Sequence, residues 1–262
     1  MQTQSSQAAQ ANIAVIGSGD VIQFGANLTL RGVRMHFDRN AEIFGEDEPS
    51  DYVYRVVSGA VRTMRFTEDG RRQILGFHLP GDIFGIETGG QHTLSAEAVT
   101  GCEIIMVRRS CLENAVNQDM GAARALLALT SAQLSDARAH ALVLGRKGAG
   151  ERVAAFLLQL ANRCVSKCEL DLPMSRADIA DYLGLTIETV SRAFSEFERQ
   201  RAIGLPSSRH VVMRNPSALM RLWGRCVTHP RDARPPHTGP RALPPRLPTK
   251  RPPPSHAPPP PP

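Results

Sequence analysis

The stretch "DYLGLTIETVSRAFSEFERQ", residues 181–200, decides the fold. A helical pattern stops at Gly184 and restarts at once after Thr186. Upstream, Ser175 is followed three residues later by Asp178, which fits a capping box and starts a helix over Arg176–Leu183. Ile179, Ala180 and Leu183 supply that helix with a buried face. Gly184 ends it, because the left-handed position just past a helix favours glycine. Thr186 caps the next helix, in which Val190, Phe194 and Phe197 recur at the spacing of a buried face. Two helices joined by a short glycine-containing turn form a helix-turn-helix, with the second helix crossing the first steeply and standing out from the surface.

The polar residues of the second helix give the motif its chemistry. Glu188, Ser191 and Arg192 lie three and four apart, on the face opposite the phenylalanines. They occupy the first turns, the end that enters the major groove in this motif. Arg donates two bonds to a guanine edge, Glu accepts from a cytosine amino group, and Ser bonds to either. A glutamate beside phosphates is costly unless it reads a base, so Glu188 points to base readout rather than charge attraction. The bland alternative is a solvated face with an ordinary Glu–Arg pair; the preceding capped helix and glycine turn weigh against it. Thr189 and Ser175 are candidate phosphate contacts, Ser175 at a helix N-terminus. Beyond the helix, "AIGLPSSRHVVMRN" (residues 202–215) alternates around a Pro-Ser-Ser turn and reads as a β-hairpin wing, with Arg209 and His210 placed at its tip to touch phosphate.

Before the motif, residues 150–164 read as a helix with Val153, Phe156, Leu157 and Leu160 on one stripe, and the glycines of 145–150 mark a hinge. Residues 111–144 read as one long helix. Met120, Leu127, Leu134 and Ala141 fall seven apart, as do Ala123, Thr130, Ala137 and Leu144. An a/d seam over about three heptads predicts a parallel pairing with a second copy of the chain, a homodimer, with Met120, Leu127, Thr130, Leu134 and Ala137 at its centre; the alternative is a helix lying on its own β domain, which the N-terminal half does in part. Residues 20–110 read as β. Alternating stretches at Tyr52–Val57, Val61–Phe66, Gln73–His78 and Cys102–Val107 are punctuated by Ser58-Gly59, Asp69-Gly70 and Pro80-Gly81-Asp82. Short strands at this spacing suggest a small barrel or jelly roll. The organisation predicted is a flexible 1–19, a β-roll over 20–110, a dimerisation helix over 111–144, a winged helix-turn-helix over 145–215 and a Pro/Arg-rich tail over 216–262.

The net charge of +6 belongs mostly to that tail. Residues 230–262 carry six Lys/Arg against one acid, and 15 of the 20 prolines, which leaves about +1 for the rest. Such a composition is expected to be disordered or polyproline II, either a ligand for a partner or a dispensable extension. The chain shows neither a secretory signal pattern nor a long uncharged apolar run, so a cytoplasmic protein with no membrane role is expected. Five scattered cysteines read as reduced thiols. Cys164 and Cys168, flanked by Arg163 and Lys167, read either as a redox pair or as two half-buried small residues; a metal site there lacks two further ligands. The histidines lack a metal-enzyme spacing, so no catalytic residue, metal or cofactor is assigned.

In sum of motifs, residues 20–215 resemble the CRP/FNR family of bacterial transcription regulators. The most specific stretch is "LPMSRADIADYLGLTIETVSRAFSEFE" (residues 172–198), whose "ETVSR" is similar to the FNR-type recognition helix. The resemblance implies an α+β fold: an N-terminal double-stranded β-roll of the cyclic-nucleotide-binding kind, a long dimerisation helix and a C-terminal winged helix-turn-helix. It implies that Glu188, Ser191 and Arg192 read TTGAT half-sites in double-stranded DNA, and that RNA polymerase is a partner. "LGLTIETVSR" and "HTLSAEAVTGCE" (residues 92–103) resemble the FixK subgroup, activators of low-oxygen respiration and nitrogen-fixation genes.

Departures from the family pattern bear on control. An FNR-type iron–sulfur cluster needs four ligands, and the first cysteine here is Cys102. Members that bind cyclic AMP carry an Arg-Ser pair after the loop at residues 81–87; this chain has "GGQHTLSAEA" (residues 89–98), without arginine. The redox-sensitive cysteine of some FixK proteins is matched by Ser175. Two other readings stay open: a regulator gated by a small molecule in the β-roll, and a cyclic-nucleotide-binding module with no DNA role.

Overall fold

The computed structural model describes residues 20–24, 28–87, 89–146, 148–164 and 168–224; the predictions for residues 1–19 and 225–262 lie outside them. The architecture is α+β. Ten strands come first: β1 (Val21–Phe24), β2 (Leu28–Arg31), β3 (Val33–Phe37), β4 (Glu42–Phe44), β5 (Tyr52–Ser58), β6 (Val61–Phe66), β7 (Arg72–His78), β8 (Ile83–Phe84), β9 (Ser95–Ala98) and β10 (Cys102–Arg108). β1 and β2 form a hairpin, and the rest make two antiparallel four-stranded sheets, ordered β3-β10-β5-β8 and β4-β9-β6-β7. Alternate side chains of both sheets meet between them: Phe44, Val61, Ala96 and Ala98 from one, Tyr54, Val56, Phe84 and Ile104 from the other. The turn between β6 and β7 closes at Gly70, whose φ of 77° suits a residue without Cβ.

The predicted single helix over 111–144 is two: α1 (Arg109–Gln118) and α2 (Met120–Arg146). Asp119 between them is extended, at φ −130° and ψ 117°. Its carboxylate accepts the Gly121 N–H at 2.8 Å, an N-cap that competes with helix continuation. One face of α2 packs on the β-roll through Ala122, Ala125, Leu126 and Leu129, beside Ile22, Phe24 and Leu28. Gln133 donates to the Ile83 carbonyl at 2.9 Å.

The C-terminal part comprises α3 (Ala149–Arg163), β11 (Glu169–Asp171), α4 (Arg176–Leu183), α5 (Ile187–Arg199), β12 (Ile203–Gly204), β13 (His210–Met213) and α6 (Pro216–Gly224). Two corrections arise here. The wing is a three-stranded sheet, ordered β11-β13-β12, rather than a bare hairpin. And the tail does not begin at residue 216. Asn215 caps α6 by accepting the Ala218 N–H at 3.1 Å, and Pro216 follows at the first helical position, where its missing N–H costs nothing. α6 buries Leu219 completely against the core it shares with α3. That core is continuous with the β-roll: Met64, Ile74 and Phe77 join Phe156, Leu157, Ile179, Leu183, Val190, Phe194 and Phe197.

Candidate nucleic-acid interface

The helix-turn-helix is built by local chemistry. The Ser175 hydroxyl accepts the Asp178 N–H at 3.1 Å, and Asp178 Oδ2 accepts the Ser175 N–H at 2.9 Å and its hydroxyl at 2.7 Å. Both donors of Ser175 are therefore spent on the cap. Burial by itself would raise the Asp178 carboxyl; the bonds from Ser175 and then the charges of Arg62 and Arg72 outweigh it and hold it below the ordinary value. Gly184 sits in the left-handed region at φ 61° and ψ 45°, as the sequence requires. Thr186 then caps α5, accepting the Thr189 N–H at 3.2 Å, and the two threonine hydroxyls lie 3.0 Å apart.

α5 divides sharply into two faces. Val190, Phe194 and Phe197 are buried, whereas Glu188, Ser191 and Arg192 are all exposed on the opposite side. The Glu188 carboxyl lies below its usual range because it accepts from its own N–H and from the Thr186 hydroxyl, with the Arg192 charge adding. It is thus an anion folded onto a helix N-terminus, where the helix dipole favours it. Sequence reasoning overlooked Arg176. Its guanidinium lies 3.2 Å from the centre of the Phe194 ring and ties α4 to α5. Burial brings its pKa down to about 10, which leaves it charged at neutral pH. A cation at the first residue of one helix and an aromatic on the next were the available signal.

The wing differs from expectation. Its exposed tip is Pro206, Ser207 and Ser208; Arg209 follows it and His210 opens β13. Arg209 is half-buried, its guanidinium 3.5 Å from the Pro173 carbonyl. His210 lies opposite Asp171 in the sheet, with Nδ1 2.6 Å from the carboxylate. The register of β11 against β13 sets that pair, and a hairpin reading had no β11. On α2, Met120, Leu127, Thr130, Leu134 and Ala137 are all exposed, on the side away from the β-roll. The Thr130 hydroxyl is satisfied within the helix by the Leu126 carbonyl at 2.9 Å. Cys164 is half-buried at the end of α3 and Cys168 is exposed.

Comparison with known proteins agrees with this geometry. Residues 151–222 match the Crp-like helix-turn-helix domain, and residues 34–119 match the cyclic nucleotide-binding domain. The nitrogen fixation regulation protein FixK of Azorhizobium caulinodans is 53% identical over 191 residues, covering 71% of this chain and 77% of that protein. The chain belongs to the CRP/FNR family. It is a DNA-binding transcription regulator, and its relatives are regulators rather than enzymes. FixK of Rhizobium meliloti is 44% identical over 69% of this chain and 82% of its own. The structure of FixK2 from Bradyrhizobium japonicum matches with a TM-score of 0.72 at 49% identity, covering 74% of this chain and 98% of that one.

In this CRP/FNR chain aromatic side chains pack between the two sheets of the β-roll. His92, buried, stacks on Phe44 at 3.6 Å between ring centres, and Tyr54 stacks on Phe84 at 5.2 Å. Ser95, in the stretch that lacks the cyclic-AMP arginine, accepts the Glu46 N–H at 2.9 Å. The nearby guanidinium of Arg109 donates to the carbonyls of Ser50, Glu87 and Gly85.

Proposed function

We propose that this chain is a homodimeric activator that reads a TTGAT-N4-ATCAA-like palindrome and switches on genes for low-oxygen respiration and nitrogen fixation. The observation that carries the reading is the outward face of α5. Glu188, Ser191 and Arg192 stand together in its first turns, free of the core, with chemistry matched to cytosine and guanine edges. The names of the FixK relatives support the target genes. The exposed seam of α2 supports pairing with a second copy, and a two-fold dimer suits a palindrome. Thr189 and the wing residues Arg209 and His210 flank the reading helix as backbone contacts, and Ser175 serves there through its helix N-terminus rather than its hydroxyl. Such a regulator works in the cytoplasm, and activation requires contact with RNA polymerase.

The β-roll works without a small effector in this reading. Arg109 donates from all three guanidinium nitrogens to backbone carbonyls, and an aromatic stack lies between the sheets. Mobility shift of a TTGAT palindrome with micromolar protein and no added ligand tests the whole reading. Specific binding supports it. Binding that needs a cyclic nucleotide, together with a rise in melting temperature on adding one, overturns the effector-free part. No binding to DNA under either condition overturns the rest.

A further inference from the structure

The helix-turn-helix does more than hang from the α2–α3 hinge. Its first helix, α4, lies against β7 of the β-roll, and polar side chains join the two. Asp178 Oδ1 accepts from Arg62 Nη1 at 3.0 Å and from Arg72 Nη2 at 2.8 Å. Asp181 Oδ2 accepts from Arg72 Nε at 2.8 Å, and the Asp181 carbonyl accepts from Gln73 Nε2 at 2.7 Å. Glu97 holds Arg62 from the other side, at 3.1 Å from Nε. Tyr182 stacks on His140 of α2, with ring centres 4.0 Å apart. Arg62 and Asp178 are both buried, at 7% and 4% exposure, so their geometry is enforced rather than fluctuating in solvent.

Buried ion pairs are weak evidence for stability, because desolvation offsets their attraction. Their directional content is another matter. Asp178 uses one oxygen to cap α4 and the other to meet two guanidinium groups from adjacent strands. Both are satisfied together in this orientation of α4 on the β-roll, and a rotation of α4 would pull one oxygen or the other from its donors. The apolar contacts beneath, Phe77 against Phe156 and Tyr182, hold the domains together without fixing that angle so tightly. α5 is tied to α4 through Arg176 and Phe194, so the orientation of α4 is passed to the reading face.

We propose that Arg62 and Arg72, acting through Asp178 and Asp181, are positioning residues for DNA recognition. They lock each helix-turn-helix on its β-roll, so that the two reading helices of a dimer stand at one separation and accept one half-site spacing. The proposal rests on the palindrome-reading dimer above. The test uses the full chain as wild type, Arg72→Gln, Asp181→Asn and the double variant. Asp181 and Arg72 are chosen because neither takes part in the α4 cap. Affinity is measured by fluorescence anisotropy on palindromes whose spacer is shortened or lengthened stepwise, with thermal melting alongside.

The wild type should prefer one spacer sharply. Each single variant should bind that spacer about five- to tenfold more weakly, within the usual range of coupling between sites. Affinity for the altered spacers should hold, so the preference narrows. The double variant should be no worse than the weaker single, because the two residues act through one another. Arg72→Lys, which keeps the charge without the fork, should recover only part of the preference. Unchanged spacer preference in variants that melt like the wild type overturns the proposal, as does an equal loss on every spacer. Failure of the wild type to bind any palindrome overturns the dimeric reading itself.

Discussion

Leu127→Asp should dismantle the proposed dimer. Leu127 and Leu134 are 68% and 49% exposed in the single chain, one heptad apart on the outward side of α2. Fully burying a leucine contributes roughly 1.5–3 kcal/mol. Covering the exposed parts against a second α2 therefore contributes about 1–2 kcal/mol for Leu127 and about 1 kcal/mol for Leu134. Each occurs once per protomer, so the pair supplies on the order of 5 kcal/mol to a dimer. Leu127→Asp removes its share twice and brings two carboxylates to the seam. The loss is at least about 2–3 kcal/mol, or roughly a hundredfold in the dimer dissociation constant. Ser135→Asp adds the same charge to the same helix at an exposed position outside the seam, and serves as the control. Sedimentation equilibrium over a range of micromolar concentrations reads both. An unchanged dissociation constant for Leu127→Asp, or an equal loss for Ser135→Asp, would refute the seam.

Leu219→Ala should cost about 2–5 kcal/mol in urea unfolding, because its side chain is wholly buried, while Met220→Ala at 53% exposure should stay within about 0.5 kcal/mol. Ending the chain after Gly224 should leave affinity for the specific duplex intact and weaken only salt-sensitive binding to random duplex; loss of specific binding at moderate salt would make the tail part of the reader. His78 is held down to about 4 by burial, helped by Arg163 against the pull of Asp82. A histidine lowered in the folded state stabilises fully above its unfolded value, about 6.5, and that contribution fades as pH falls toward 4. His78→Gln should therefore flatten stability against pH in that window, and an unchanged profile would show that another group controls it.

The helix-turn-helix was legible because its signals are local. The Ser175–Asp178 box, the left-handed Gly184, the Thr186 cap and the Val190–Phe194–Phe197 period each act within a few residues, and the structure realises all of them. The exposed row of α2 from Met120 to Ala137 was legible for the same reason, as a periodicity. Where a local signal was outweighed, the expectation failed. Asn215-Pro216 announced α6, but the proline-rich composition beyond it drew the boundary too early. Asp119 announced a break just before the heptads begin at Met120, and the single-helix reading ran through it. β11 is three residues long and earns its place only by pairing with β13, so no pattern in the chain displayed it, and with it went the Asp171–His210 pair. The network from Arg62 and Arg72 to α4 joins residues more than a hundred positions apart, and periodicity carries no record of such partners.

The central claim is that α5 reads sequence through Glu188 and Arg192. The most direct test measures binding of wild type, Glu188→Ala and Arg192→Ala to a TTGAT palindrome, to its single-base variants and to random duplex, at low and moderate salt. Arg192→Ala should lose roughly 1–3 kcal/mol on the palindrome, and the loss should depend on the base at one position. Glu188→Ala should lose specific affinity while binding to random duplex holds or rises, because an anion beside phosphate has gone. Equal losses on every duplex for both variants would mean that this helix holds DNA without reading it, and would contradict the account.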